Sequence, residues 1–308
     1  MPAKLLYIHN LDTNFKKILE ITKTIFADEL NQYGNFKNYP RIPKLSDAEV
    51  IALTISAEAI GLDSENFLFI KLKSDYIELF KKLPHRTNYN RRKRKLMDRI
   101  EQLSQKMSEQ MTTNSTTCIV DSMPLPVCRT VRSKFLKILK DDDVLPELGY
   151  SAIDKQYYFG FKLHVLMSEY GVIISYFLTP SNVHDVKLLK DLTSGFVNNC
   201  TVIGDKGYLV KSGQLKLFED EGISIVTPKR KNQKDQGTWT PLHRYKRKRI
   251  ETAFSQFCDQ LMIKRNYAKK FSGYFSRITI KIASFTLLQY INHLNNKPLN
   301  RIKHALAF

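Results

Sequence analysis

Three acidic side chains in the second part of the sequence have the type and setting for metal-assisted chemistry. Asp121 ends the apolar run Cys118, Ile119, Val120, and Asp205 ends the run Val202, Ile203, Gly204. Each is expected at the carboxyl end of a buried strand, the edge where active sites of open α/β sheets gather. Glu251 is the lone carboxylate in YKRKRIETAFSQF, an otherwise strongly cationic helical stretch. Each acid also has an ordinary explanation. A strand-end aspartate is a common turn or cap residue, and Arg247, one helical turn before Glu251, offers it an ion pair worth only about 0.2 to 0.5 kcal/mol. Together, the three supply hard oxygen ligands able to hold two Mg2+ or Mn2+ ions about 4 Å apart, the arrangement that serves phosphodiester displacement. Two carboxylates acting as a metal-free acid and base are the alternative.

The charge of the chain favours the first chemistry. Lys and Arg number 49 against 30 Asp and Glu, a net charge of +19, which makes a polyanion the natural partner. Nine cations lie between Lys81 and Arg99, opposed only by Asp98, and nine more between Lys229 and Arg249, opposed by Asp235. The two tracts therefore hold sixteen of the net positive charges, a concentration that suggests surfaces for phosphates rather than a uniformly solvated exterior. The expected DNA contacts in them are Arg91, Arg92, Lys93 and Arg94, then Lys229, Arg230, Lys231, Arg244 and Arg247. Trp239, in the second tract, is a packing anchor in preference to a base-stacking residue.

The elements that must position these groups are legible in outline. From Leu5 to about Met111 the pattern is helical. Ser46 and Glu49 form a capping-box signature before Val50, Leu53 and Ala57, with a stop at Gly61. Tyr89, Leu96, Ile100, Leu103, Met107 and Met111 form one stripe on a long helix, as core or dimer seam. The tract MTTNSTTC breaks that pattern and sets a domain boundary near residue 113. There follow a strand TCIVDSM, a hairpin of YYFGFKLHVLM and VIISYFLTP turning at Glu169-Tyr170-Gly171, and a helix from His184 to about Thr193. After these come the strand CTVIGD, a helix around Leu209 to Asp220, the strand ISIVTP and a helical stretch from about Tyr245. The implied class is α/β with a mixed sheet and flanking helices, preceded by a helical N-terminal domain: 1–112 for DNA-end binding, 113–308 for catalysis.

Period-two alternation puts Lys162 and His164 on one strand face, where they could line a groove near Asp121; a solvated lysine beside a hydrogen-bonded histidine is the plainer alternative. At least one of Lys206 and Tyr208, directly after Asp205, is expected to face DNA. Asp185 follows Asn182 at a helix start, where capping is the first expectation. Four cysteines without a CxxC pair suggest neither zinc nor disulfides. No apolar stretch is long enough to span a bilayer and the first ten residues lack a signal-peptide core, so a soluble, cytoplasmic protein is expected.

The blocks IVDSMPLPVC, GFKLHVLMSEYGVIISYFLTPSNVHD, VIGDKGYL and RKRIETAF, in this order and spacing from about Leu45 to Asn292, resemble the DDE transposases of bacterial insertion sequences, closest to the insertion-sequence 982 family. The resemblance implies a ribonuclease-H-like catalytic domain with Asp121, Asp205 and Glu251 as the metal-binding triad and His184, Asp185 and Tyr208 as auxiliary residues. It also implies Mg2+ or Mn2+, two ions, and DNA partners: terminal inverted repeats and target DNA, held by a homodimer in a synaptic complex. The activity implied is cleavage at the element's ends and transfer of the 3′-hydroxyl into target DNA. A nuclease that never joins strands, or a silent DNA-binding descendant, are the alternatives. One departure concerns the spacing Y-x2-R-x3-E-x6-K found around the glutamate in related families. Only Arg247 fits it; the Tyr position holds Arg244, with Tyr245 one place along, and the Lys position holds Cys258.

Overall fold

The computed structural model describes residues 10–113, 115–140, 143–152, 154–209, 218, 221–228 and 239–306. Most of the expected helix at 209–220, the N-terminal residues before 10, and Lys229, Arg230 and Lys231 lie outside them. The chain divides into two compact units. One comprises 1–107, 260–262 and 276–308, the other 108–259 and 263–275. The C-terminal residues thus belong with the N-terminal helices, whereas the sequence reading assigned everything after 113 to a single domain.

The first unit is built on α1 (Leu11–Ile25), α2 (Asp47–Ala59), α3 (Glu65–Ser74), α4 (Arg86–Lys95) and most of α5 (Met97–Thr112). The capping box forms: the Ser46 N–H donates to Glu49 Oε2 (2.6 Å) and the Glu49 N–H to Ser46 Oγ (3.2 Å), and the chain leaves α2 through Gly61 at φ +78°. Helix α2 is buried around nearly its whole circumference because it runs through the core. The stripe from Tyr89 to Met111 is buried throughout, but it spans two helices. Leu96 ends α4, its N–H shared between the carbonyls of Arg92 and Lys93. Repulsion among the five cations 91–95 disfavours continuing that helix, and Asp98 suits the start of the next.

The second unit carries a six-stranded mixed sheet of β1 (Thr117–Cys128), β2 (Glu147–Ser151), β3 (Gln156–Ser168), β4 (Ile173–Pro180), β5 (Thr201–Ile203) and β6 (Ser224–Val226). β1 pairs antiparallel with β3 and parallel with β5, which pairs parallel with β6. The far side of β3 holds β2 and β4 end to end, both antiparallel. With β2 set aside, the order β4-β3-β1-β5-β6 is consistent with a ribonuclease-H-like sheet. The first strand is longer than its apolar run: it continues past Asp121 to Cys128, paired with β3. Pro124 and Pro126 are tolerated there because β5 reaches only to Ile119, so the rest of β1 has a partner on one side alone.

Strand alternation divides the core. Cys118, Val120 and Leu166 face a cluster with Leu189 and Leu192 of α6 (Leu189–Thr193) and with Tyr208. The opposite face carries Ile119, Leu163 and Val165 together with Phe161, whose ring lies 5.0 Å from Tyr274 and 5.4 Å from Phe271, in α8 (Phe271–Leu294). Helix α7 (Pro241–Asp259), which buries Ile250, Ala253 and Phe257, packs on β1. Among the described residues no helix is long and apolar enough to cross a membrane.

Candidate active site

Asp121 and Ser122 are consecutive in an extended strand and therefore point to opposite faces of the sheet. Asp121 faces α7, where Arg247 Nη2 donates to its Oδ2 at 3.0 Å; the Ser122 N–H donates to its Oδ1 at 2.8 Å. Burial raises the acid to a pKa of about 6, and the negative charge of Asp205 adds to that rise. Arg247 and the Ser122 N–H pull the other way without prevailing. Arg247 also lies 3.9 Å from Glu251 Oε1, a longer approach to a side chain that is 58% exposed. The arginine therefore holds the strand aspartate more closely than the helix glutamate, and the pair expected from helix spacing is the weaker of the two.

Asp205 follows β5 and caps a 3-10 turn, Lys206–Tyr208, accepting from the Gly207 N–H at 2.7 Å. Two glycines make this turn possible. A Cβ on Gly204 would stand 2.9 Å from the Tyr208 side chain, and a Cβ on Gly207 would stand 2.9 Å from carboxylate oxygens of both Asp185 and Asp205. Gly207 thus leaves room for both carboxylates where a side chain would otherwise stand. Sequence reading passed over Gly207 and Ser122; the only trace they leave is a small residue following closely on each aspartate.

Asp185 gathers the other face. Its Oδ1 accepts from Lys162 Nζ at 3.0 Å and from Ser122 Oγ at 3.1 Å, and lies 3.7 Å from His164 Nδ1. The cap position of the turn Asp185–Leu188 falls to His184, whose side chain makes no cap bond; Asp185 is the acid of the first turn, as its place at a helix start suggests, and its carboxylate is also engaged by Lys162 and Ser122. Lys162 also donates to the Val183 carbonyl at 2.9 Å. His164 is fully buried with Nε2 against Thr179 Oγ1 at 2.9 Å, and burial lowers its pKa to about 4 against the opposing pull of Asp185. Lys162 and His164 do share a strand face, but the register pairs His164 with Ser122 and Val165 with Asp121, so they turn away from the face that Asp121 occupies. A neutral, buried histidine is a structural group here, and a DNA contact for His164 is not supported.

Tyr208 is also buried, its hydroxyl raised far above the ordinary range by burial and then by Asp185, Asp121 and Asp205. That hydroxyl approaches Ser122 without forming a sound hydrogen bond. Of Lys206 and Tyr208, only Lys206 is exposed. His184 is exposed, as are Arg244, Arg91 and Arg94. Arg92 and Lys93 are not free cations: Arg92 pairs with buried Asp47 and donates to the Leu45 carbonyl, and Lys93 pairs with Glu65. Trp239 packs 5.7 Å from the His243 ring at the start of α7, as a local anchor.

The family model of the transposase DDE domain matches residues 111–269, just over half of the chain and all of the acids at this site. The chain belongs to this family. Its class of activity is transposition-related cleavage of DNA, and DDE domains generally use divalent metal ions. No curated protein matches the chain. Among the described residues of this DDE domain, no three His, Cys, Asp or Glu side chains are gathered closely enough to hold a metal. The donor chemistry of Asp121 and Asp205 nevertheless suits a hard cation. Both are oxygen donors, and a buried carboxylate raised to about 6 beside a second acid lacks positive charge that Arg247 supplies only in part.

Proposed function

We propose that this DDE-family protein is the transposase of an insertion sequence, of the insertion-sequence 982 type, acting at the terminal inverted repeats of its element and on target DNA. Asp121, Asp205 and Glu251 form its acidic triad. The observation that carries the reading is Arg247, which links the strand acid Asp121 to the helix acid Glu251 within the family-matched residues.

Two Mg2+ or Mn2+ ions bound by these acids would supply charge stabilisation for an in-line displacement at phosphorus. The protein's own groups do the rest. Asp121 and Asp205 are held in place by backbone N–H groups of Ser122 and Gly207, so they need little reorganisation before they act. Arg247 compensates Asp121 only in part in the free protein, and a cation must compete with it for Oδ2. Exposed Glu251 is free to complete the donor set from α7. Cations on surfaces near the site, among them Lys206 and Arg244, hold phosphates without reading sequence. The helical unit carries end recognition, and a homodimer joins two ends.

The test is incubation of the full chain with DNA bearing the ends of its own element, in Mg2+ or Mn2+, beside Asp205→Ala. Metal-dependent cleavage at the ends and joining of pre-cleaved ends to target DNA, both abolished in the variant, are expected. Cleavage without joining would instead establish a nuclease, and end-specific binding without cleavage a DNA-binding descendant. Cleavage surviving in Asp205→Ala would overturn the triad.

A further inference from the structure

Beyond the acids, the sheet of the DDE domain extends into an arm with an unusual surface. β2 and the first part of β3 pair through Leu148 with Phe159 and Tyr150 with Tyr157. Directly paired residues share a face, so these four form one ladder. Tyr150 is 55% and Tyr157 63% exposed, with their rings 5.2 Å apart edge to face. The 3-10 turn Thr130–Phe135 lies against the ladder strand, with Thr130 Oγ1 donating to the Tyr157 carbonyl at 3.1 Å, and it adds Val131 and Phe135, 84% and 79% exposed. Apolar and aromatic surface grouped in this way marks an interaction site.

Charge identifies the occupant. Five cations stand between Arg129 and Lys140, ahead of the acidic run Asp141-Asp142-Asp143 in the sequence, and Arg129, Arg132, Lys134, Lys137 and Lys140 are all exposed. A second copy of this chain, itself at +19, is electrostatically a poor partner for such a segment, whereas a polyanion with flat rings suits both cations and tyrosines. Position adds to this. Along β3 the odd-numbered residues share a face, so Tyr157 and Phe159 stand on the same face as Val165, the partner of Asp121. Eight residues at about 3.3 Å each place the ladder roughly 26 Å along the sheet from the acid, within reach of one bound DNA molecule.

We infer that this arm binds an unpaired DNA strand, its bases stacked on Tyr150 and Tyr157 and its phosphates on Arg129, Arg132 and Lys134. In a duplex the base faces are occupied by their neighbours, so the ladder prefers strands that are separated. The inference rests on DNA being the substrate, but not on the acidic triad.

The experiment is fluorescence anisotropy with a labelled oligo-dT and, separately, a labelled duplex, using the full chain, Tyr150→Ser/Tyr157→Ser and Tyr150→Phe/Tyr157→Phe. The serine pair is expected to weaken oligo-dT binding by about tenfold or more, and the phenylalanine pair to stay within about threefold of the parent. Duplex binding and the melting temperature should be preserved in both, because the tyrosines are exposed. Unchanged oligo-dT binding in the serine pair, an equal weakening for duplex, or no oligo-dT binding by the parent would overturn the inference. So would a parent dimer that the serine pair converts to monomer with oligo-dT affinity intact, which would make the face an interface between copies. End cleavage measured on the same samples separates this outcome from failure of the transposase reading, since neither tyrosine belongs to the triad.

Discussion

Helices α4 and α7 carry similar runs of cations, yet the fold uses them differently. In α4 the two inward cations answer structural acids: Arg92 pairs with Asp47 in the first turn of α2, and Lys93 pairs with Glu65 in the first turn of α3. In α7 the inward cations turn to the sheet. Lys246 meets Glu169 at 2.7 Å, and Arg247 meets Asp121. The outward residues Arg91, Arg94, Arg244 and Lys248 are exposed in both. A basic run therefore contains two populations, and what distinguishes a site helix is the acid its inward face meets, not the density of charge.

The strongest challenge to that comparison is Arg92→Met. Asp47 is 1% exposed, and removing its cation should cost about 3 kcal/mol, read by chemical denaturation, because the buried carboxylate is left with only neutral donors, the Phe36 N–H and the Tyr39 hydroxyl. DNA affinity of the folded variant should be unchanged. A variant of normal stability that binds DNA poorly would place Arg92 among the outward cations after all.

A comparable effect should arise without mutation. His164 is lowered to about 4 in the folded protein, from an ordinary value near 6.5, so the unfolded chain takes up its proton first as pH falls. The stability it contributes is complete above about 6.5, declines through the window down to about 4 and changes no further below, a fall of about 3 kcal/mol at 1.36 kcal/mol per unit. Asp121, raised to about 6, acts with the opposite sign in the same window, so the quantity to read is the difference between His164→Gln and the parent: between pH 6.5 and 4 the variant should gain about 3 kcal/mol relative to the parent. Equal pH dependence in the variant would mean that His164 is not the titrating group.

Arg247→Gln should be milder, about 1 to 2 kcal/mol, since Asp121 keeps its bond to the Ser122 N–H and is partly hydrated. With the competing guanidinium gone, Mn2+ should raise the melting temperature more in this variant than in the parent. An equal rise would show that Arg247 and the cation do not compete for Asp121.

The smallest effect on folding belongs to the outward cations. Arg91→Ala with Arg94→Ala should change stability by less than about 0.5 kcal/mol, while lowering the slope of log affinity against log salt by about 0.9 for each phosphate that the variant no longer neutralises. A salt slope equal to that of the parent would remove this face of α4 from the DNA-binding surface.

Local features were legible because they depend on neighbours in the chain. The Ser46 to Glu49 capping box is a four-residue signature, and the buried stripe from Tyr89 to Met111 follows helical spacing even though the helix itself ends at Leu96. The candidate site was legible only as a set of acids. That Arg247 prefers Asp121 to its helical neighbour Glu251, or that the first-turn acid Asp185 also gathers Lys162 and Ser122, involves partners 126, 23 and 63 residues away.

What the sequence determined alone was the inventory: the acids at the ends of apolar runs, the cationic tracts, the helix starts and the class of fold. Side-chain type and short-range periodicity suffice for these, since each depends on neighbours within one or two turns. Only the tertiary structure decided which face each group meets. Pairing His164 with Ser122 places the histidine opposite Asp121's face, and a shift of the β1–β3 register by one residue would reverse that assignment. Register is set by the packing of the whole sheet, and no local pattern in either strand contains it.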